Sequence, residues 1–111
     1  MKLIISLILL IILISGCAAK SDDTEFLRKA ISDSCINICN SVKGTRDLSN
    51  GPCLSDNNAK WTIQDWVCDV AHSPRQSEID DKPENQCQAF RSGQSHHFVE
   101  VDTSCNLIRA I

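Results

Sequence analysis

Asp-Asp-Thr-Glu-Phe-Leu-Arg-Lys-Ala-Ile-Ser-Asp-Ser-Cys-Ile-Asn-Ile-Cys-Asn-Ser-Val-Lys-Gly, residues 22–44, is the stretch that decides the fold. Leu27, Ile31, Cys35, Ile38 and Val42 recur at three- and four-residue steps, which gives one apolar helical face. Asp22 with Glu25 three positions on forms a variant capping box, and Gly44 is expected to end the helix in the left-handed conformation. Cys35 and Cys39 lie on the inner face, on neighbouring turns. Their sulfurs project outward in parallel, so each is expected to bond a partner elsewhere in the chain and not its neighbour.

Beyond the helix the chain is polar and turn-rich as far as Lys60. Ser49-Asn50-Gly51-Pro52 and Asp56-Asn57-Asn58 are turn sequences, with Cys53 pinning the loop between them. From Trp61 the pattern changes. Trp66, Cys68 and Val70 alternate with Val67, Asp69 and Ala71, which predicts a strand whose first set faces inward. His72-Ser73-Pro74 ends it, because proline cannot continue a ladder. A polar loop over 75–82 leads to Pro83, near the first turn of a short helix with Cys87, Ala89 and Phe90 turned inward and Gly93 as the stop. His97, Val99 and Val101 alternate with His96, Phe98, Glu100 and Asp102. Asp102 to Cys105 turns, and Leu107 to Ile111 returns as the second strand of a hairpin. Val99 and Val101 are expected buried and Glu100 exposed. The expected fold is therefore α+β: a small disulfide-rich domain over residues 22–111. A long N-terminal helix and a short second helix cover one face of a three-stranded, mainly antiparallel sheet.

The first seventeen residues belong to a different kind of segment. After Lys2, residues 3–14 are apolar except Ser6, and Ile14-Ser15-Gly16-Cys17 comes next. An apolar run this short with small residues after it reads as a secretory signal and not as a membrane span, which needs about 20 residues. The four residues ending in Cys17 resemble the lipobox of prokaryotic lipoproteins, with Ile where that family prefers Leu. The resemblance implies a signal peptide over 1–16, cleavage before Cys17, a diacylglyceryl thioether on its sulfur and a lipid-anchored tether over 17–21. Two acyl chains suffice for stable membrane anchoring. The expected location is the outer face of the cell membrane or the periplasm.

Removing residues 1–16 takes one lysine from eleven basic residues and leaves the fourteen acidic ones, a formal charge of −4. That balance argues against a nucleic-acid partner, which selects a basic face. Setting Cys17 aside leaves Cys35, Cys39, Cys53, Cys68, Cys87 and Cys105. Six cysteines in a small exported domain read as a disulfide framework. Of the 15 possible pairings, helix geometry removes the three that contain Cys35–Cys39. Within the rest, the favoured set joins the helix cysteines to Cys68 and Cys105 and ties Cys53 to Cys87.

Chemistry is less legible. His96, Glu100 and Asp102 share one face of a regular strand and are the candidate ligands of a hard or borderline cation. The plainer reading is the wetted face of an edge hairpin. His72, His96 and His97 are the candidates for a small metal-dependent or hydrolytic enzyme, with Ser73 or Asp69 as triad candidates beside them. No Gly-x-Ser-x-Gly elbow supports that assignment. Cys35 and Cys39 lack the Cys-x-x-Cys spacing of dithiol catalysts, and the helical Cys-x-x-x-Cys lacks the strand Cys-x-Cys of the cystine-stabilised αβ defensins. Trp61 and Trp66 read as core and core-edge residues. Loops 45–60 and 72–82, with Arg46, Arg75, Asp80 and Asp81, form the expected contact surface. No cofactor is expected. The reading is a non-enzymatic binding or envelope-structural domain, with the membrane, an envelope protein or a small ligand as partners.

Overall fold

The computed structural model describes residues 20–111, with side chains from Asp22 onward. The expected signal peptide over 1–16 and the expected lipidation site at Cys17 lie outside the described residues. Helix α1 spans Lys20–Val42. Strand β1, Trp66–Val70, comes after the long loop. Three short pieces come next: helix α2 (Ser77–Asp80), a 3₁₀ turn (Pro83–Asn85) and helix α3 (Gln88–Arg91). Strands β2 (His97–Val101) and β3 (Leu107–Ala110) close the chain. No helix of the described residues is long and apolar enough to cross a membrane.

The sheet is mixed, where a mainly antiparallel one was expected. β2 is central, parallel to β1 and antiparallel to β3. Residues 71–96 are long enough to carry the chain back to the end of the sheet where β1 began, as a parallel neighbour requires. The free edge of β1 is covered as well. Leu54 N–H donates to the Cys68 carbonyl (2.8 Å) and Val70 N–H to the Pro52 carbonyl (3.1 Å), which adds a one-bridge antiparallel segment centred on Cys53. Gly51 makes this approach possible. Its φ of +65° suits glycine, and a Cβ there would lie 2.8 Å from the Val70 carbonyl oxygen.

The two faces of the sheet carry different cargo. Cys68, Val70, Val99 and Val101 pack with Ile31, Cys35 and Cys39 of α1, and Ile38, Val42, Trp61 and Trp66 border that core. Val67 packs on the opposite face with Cys53 and Cys87, bordered by Ala89 and Phe98. The two helices therefore cover opposite faces, where one shared face was expected. The pleat sends Glu100 to the same side as Val67 and Phe98. With that side covered too, Glu100 is only 4% exposed, which overturns its expected place in solvent.

Helix α1 outruns the sheet. Residues 22–30 are exposed, including Leu27 at 57%, so the apolar stripe makes contact only from Ile31 onward and Leu27 is not an inner-face residue. The helix already includes Lys20, so Asp22 is not its cap. At the other end Lys43 N–H reaches the Cys39 carbonyl and Arg46 N–H the Val42 carbonyl, so turns end the helix. The left-handed glycines are Gly51 and Gly93, not Gly44. Gly93 does stop α3, which is shorter than expected and begins after Cys87.

Three disulfides bind these parts: Cys35–Cys68, Cys39–Cys105 and Cys53–Cys87. The first two fasten α1 to β1 and to the β2–β3 turn, and the third fastens the loop to the start of α3. They fit an oxidising, extracytoplasmic compartment. Burial of Val101 gives a direct check on this layering. Val101→Asp is expected to cost about 3 kcal/mol in urea unfolding, because an unpaired charge enters a dry core. Thr103→Asp, in the exposed turn, should be nearly silent. Equal effects would contradict the assignment of faces.

Candidate functional site

Parallel pairing brings Asp69 of β1 and Glu100 of β2 into register as neighbours on the second face of the sheet. Around them lies a cavity of about 360 Å³. Val67, Phe90 and Phe98 give it an apolar wall, with the two rings edge-to-face at 5.2 Å. Arg75, Arg91 and Arg109 supply three guanidinium groups, and Gln86 and Cys87 complete the lining. Phe90 and Arg91 are exposed, so the cavity reaches the surface.

The two carboxylates play different parts. Glu100 is held from both sides, by Arg109 Nε (2.5 Å) and Arg75 Nη1 (3.1 Å). Arg75 also grips Asp81 through Nη2 at 2.7 Å. Asp69 has no ion pair within 4.0 Å among the described residues. Burial, reinforced by the charges of Glu100 and Asp80 and opposed by Arg75, pushes its carboxyl up to about 8. Asp69 therefore carries its proton at neutral pH, and the cavity holds three guanidinium groups, two of them paired with Glu100. Arg91 makes no ion pair among the described residues.

The histidines expected to work together are divided between two sites. Ring nitrogen Nδ1 of His72 lies 2.8 Å from Asp80 Oδ1, beyond the C-terminal end of β1. Burial tends to raise the Asp80 carboxyl, but hydrogen bonds from the Gln76 N–H and from His72 outweigh it and hold the group below its ordinary value. His96 and His97 share Asp65 at the other end of the parallel pair, at 2.6 and 3.7 Å. The hydrogen bond from His96 lowers the Asp65 carboxyl. His97 also stacks on Trp66 at 4.8 Å between ring centroids. Six residues of extended chain, about 20 Å, separate His72 from the level of Trp66 and His97.

The candidate cation ligands are likewise dispersed. His96 is turned to Asp65, and Glu100 is closed by its two arginines. Asp102 caps its own turn, its Oδ1 accepting from the Ser104 and Asn106 N–H groups at 2.9 Å each. The cluster with metal-ligand spacing among the described residues is Cys53, Asp69 and Cys87, with donor atoms within 4.8 Å of one another. Both sulfurs are committed to a disulfide, which removes them as thiolate ligands. In the two loops expected to form a contact surface, Arg46 leans on the Cys53 carbonyl (3.5 Å) and Arg75 enters the cavity.

Sequence reasoning missed the Asp69–Glu100 pair as a unit. The available signal was the two-residue spacing of Val67 and Asp69 and of Phe98 and Glu100, which puts each pair on one face of its strand. Each strand thus sends one apolar and one acidic side chain to the face opposite the valine stripe. No known protein family matches the chain, and comparison with curated proteins and with solved structures finds none similar to it.

A raised carboxyl ties stability to pH. The stability that protonated Asp69 contributes is full below about pH 4 and is lost as pH rises through about 8, because only the folded state holds the proton over that interval. Urea unfolding of wild type and of Asp69→Asn from pH 4 to 8.5 should therefore diverge, with the variant gaining relative to wild type as pH rises. Parallel profiles would contradict the placement of Asp69.

Proposed function

We propose that the protein is a non-enzymatic, lipid-anchored extracytoplasmic binding domain whose ligand is a small organic anion with an apolar body. The observation that carries the ligand assignment is the cavity between β1, β2 and α3, which combines an apolar wall with an excess of guanidinium charge. Arg75 and Arg109 are occupied by Glu100, so Arg91 is the group left to meet an incoming carboxylate, as a charge-assisted hydrogen bond. Protonated Asp69 offers an O–H to a second ligand oxygen, and Phe90 with Phe98 packs the apolar body. A concave, mainly apolar site with a few fixed polar groups is the usual form of a small-molecule pocket.

The anchor rests on Ile14-Ser15-Gly16-Cys17, and three disulfides support the oxidising compartment that such an anchor implies. The rival expectation, an enzyme built on His72, His96 and His97, has less support, because those side chains serve two different aspartates at separated sites.

Two measurements test the two halves of this reading. Replacement of Cys17 by Ser should move the protein from the membrane fraction and abolish incorporation of labelled fatty acid. A variant that stays processed and membrane-bound would contradict the anchor. For the ligand, phenylacetate and benzoate should raise the thermal midpoint, since a ligand that binds only the folded state stabilises it by about 2.7 kcal/mol at a hundred times Kd. Arg91→Ser should lose that response. No shift with either anion, or an equal shift in the variant, would remove the assignment.

A further inference from the structure

The three disulfides differ in their surroundings. Cys35, Cys39, Cys68 and Cys105 sit in the core between α1 and the sheet, and exposure alone does not set them apart, since they are at most 4% exposed and Cys87 is 3%. Cys53–Cys87 lies on the other face, and Cys87 forms part of the cavity wall. Asp69 Oδ1 lies 4.0 Å from Cys87 Sγ, and the Asp69 carboxyl and both sulfurs fall within 4.8 Å of one another. Ser55 adds a third group. Its Oγ accepts the Cys68 N–H at 3.0 Å, and it lies 3.4 Å from Cys53 Sγ and 3.6 Å from Cys87 Sγ. The serine hydroxyl proton is thus free to serve a sulfur. Hydroxyl donors and nearby guanidinium groups are the surroundings that stabilise a thiolate.

The geometry points to Cys53–Cys87 as an exchangeable disulfide that oxidises low-molecular-weight thiols entering the cavity, with Asp69 as proton donor to the departing sulfur. Cys87 Sγ is the atom attacked, because Cys87 lines the cavity and Cys53 does not. A substrate thiolate forms a bond to Cys87 Sγ while the Cys53–Cys87 bond breaks, and the electron pair leaves on Cys53 Sγ. The Asp69 carboxyl gives its proton to that sulfur and becomes a carboxylate. A second substrate thiolate then attacks the substrate sulfur of the mixed disulfide. Cys87 Sγ leaves and takes a proton from water. Two thiols are oxidised to one disulfide, and the cystine is reduced by the same two electrons to two thiols.

Asp69 is suited to this part because it holds its proton to about pH 8. The charged groups that face it are Glu100 from β2, Arg75 from the segment after β1 and Asp80 from α2. Removing the Glu100 charge should bring that value down. The inference is separate from the anion-binding reading, and an uncharged thiol tests it independently.

The protein as the cell makes it would be treated with 2-mercaptoethanol, quenched by alkylation at intervals and mapped for each bridge. Cys53–Cys87 should open at least roughly tenfold faster than the other two, since reactivity depends on access and on protonation of the leaving thiol. Its rate constant, expressed per thiolate, should fall as pH is carried through about 8. Asp69→Asn should flatten that fall while leaving the far-ultraviolet circular dichroism unchanged. Opening of all three bridges at one rate, or the same pH profile in Asp69→Asn, would overturn the proposal. Should Asp69→Asn fail to fold, Glu100→Gln serves instead. It should move the fall to lower pH, and an unmoved profile would overturn the proposal equally.

Discussion

Fastening one small sheet on both faces is the constraint on which the rest of this structure depends. Cys35–Cys68 and Cys39–Cys105 hold α1 against one face, and Cys53–Cys87 holds the loop and α3 against the other. Three strands of five, five and four residues cannot bury enough apolar surface to stand alone. Each bridge typically contributes about 2–4 kcal/mol by restricting the unfolded chain, which is comparable with the whole net stability of a domain this size. The loop before β1 illustrates the need. It reaches its place through Cys53, two backbone hydrogen bonds to β1 and the tight approach allowed by Gly51.

Covering both faces changes what the polar residues do. A one-sided sheet would leave Asp69 and Glu100 in water. Here parallel pairing sets them side by side beneath a covered face, where neighbouring like charges cannot both ionise cheaply. Two arginines neutralise Glu100, and Asp69 keeps its proton. The cavity thus acquires a neutral acid, a compensated carboxylate and an uncommitted guanidinium at its exposed rim beside one apolar wall, and that combination underlies the reading of the protein as a binding domain.

Much of the chain was legible because period and chemistry coincided. The three- and four-residue spacing from Ile31 to Val42 specified a helix, and two half-cystines on one face of it had to reach across to other elements. The observed linkages lie within the pairings that this geometry permits. Val99 and Val101 alternated cleanly enough to give their face. Glu100 went wrong for a physical reason: alternation tells which side a residue faces, not whether that side is covered. Leu27 failed in a related way, since periodicity cannot tell where the partner surface ends. Strand direction was hidden because residues 71–96 contain helices of only four residues, too short to announce a crossover. Asp69 and Glu100 are 31 positions apart, and only the parallel register makes them a pair. The histidines carried no spacing that could have assigned them to Asp80 and Asp65.

Two bridges lie in the core under α1, and the third lies on the other face beside the half-buried Asp69. All three fasten the fold, and Cys53–Cys87 also forms part of the cavity wall through Cys87. Non-reducing peptide mapping of the purified protein tests this architecture at its foundation. The linkages expected among these six residues are Cys35–Cys68, Cys39–Cys105 and Cys53–Cys87. A Cys35–Cys39 bond would mean that the central stretch is not a helix packed on a sheet, and the architecture and the cavity built on it would fall together.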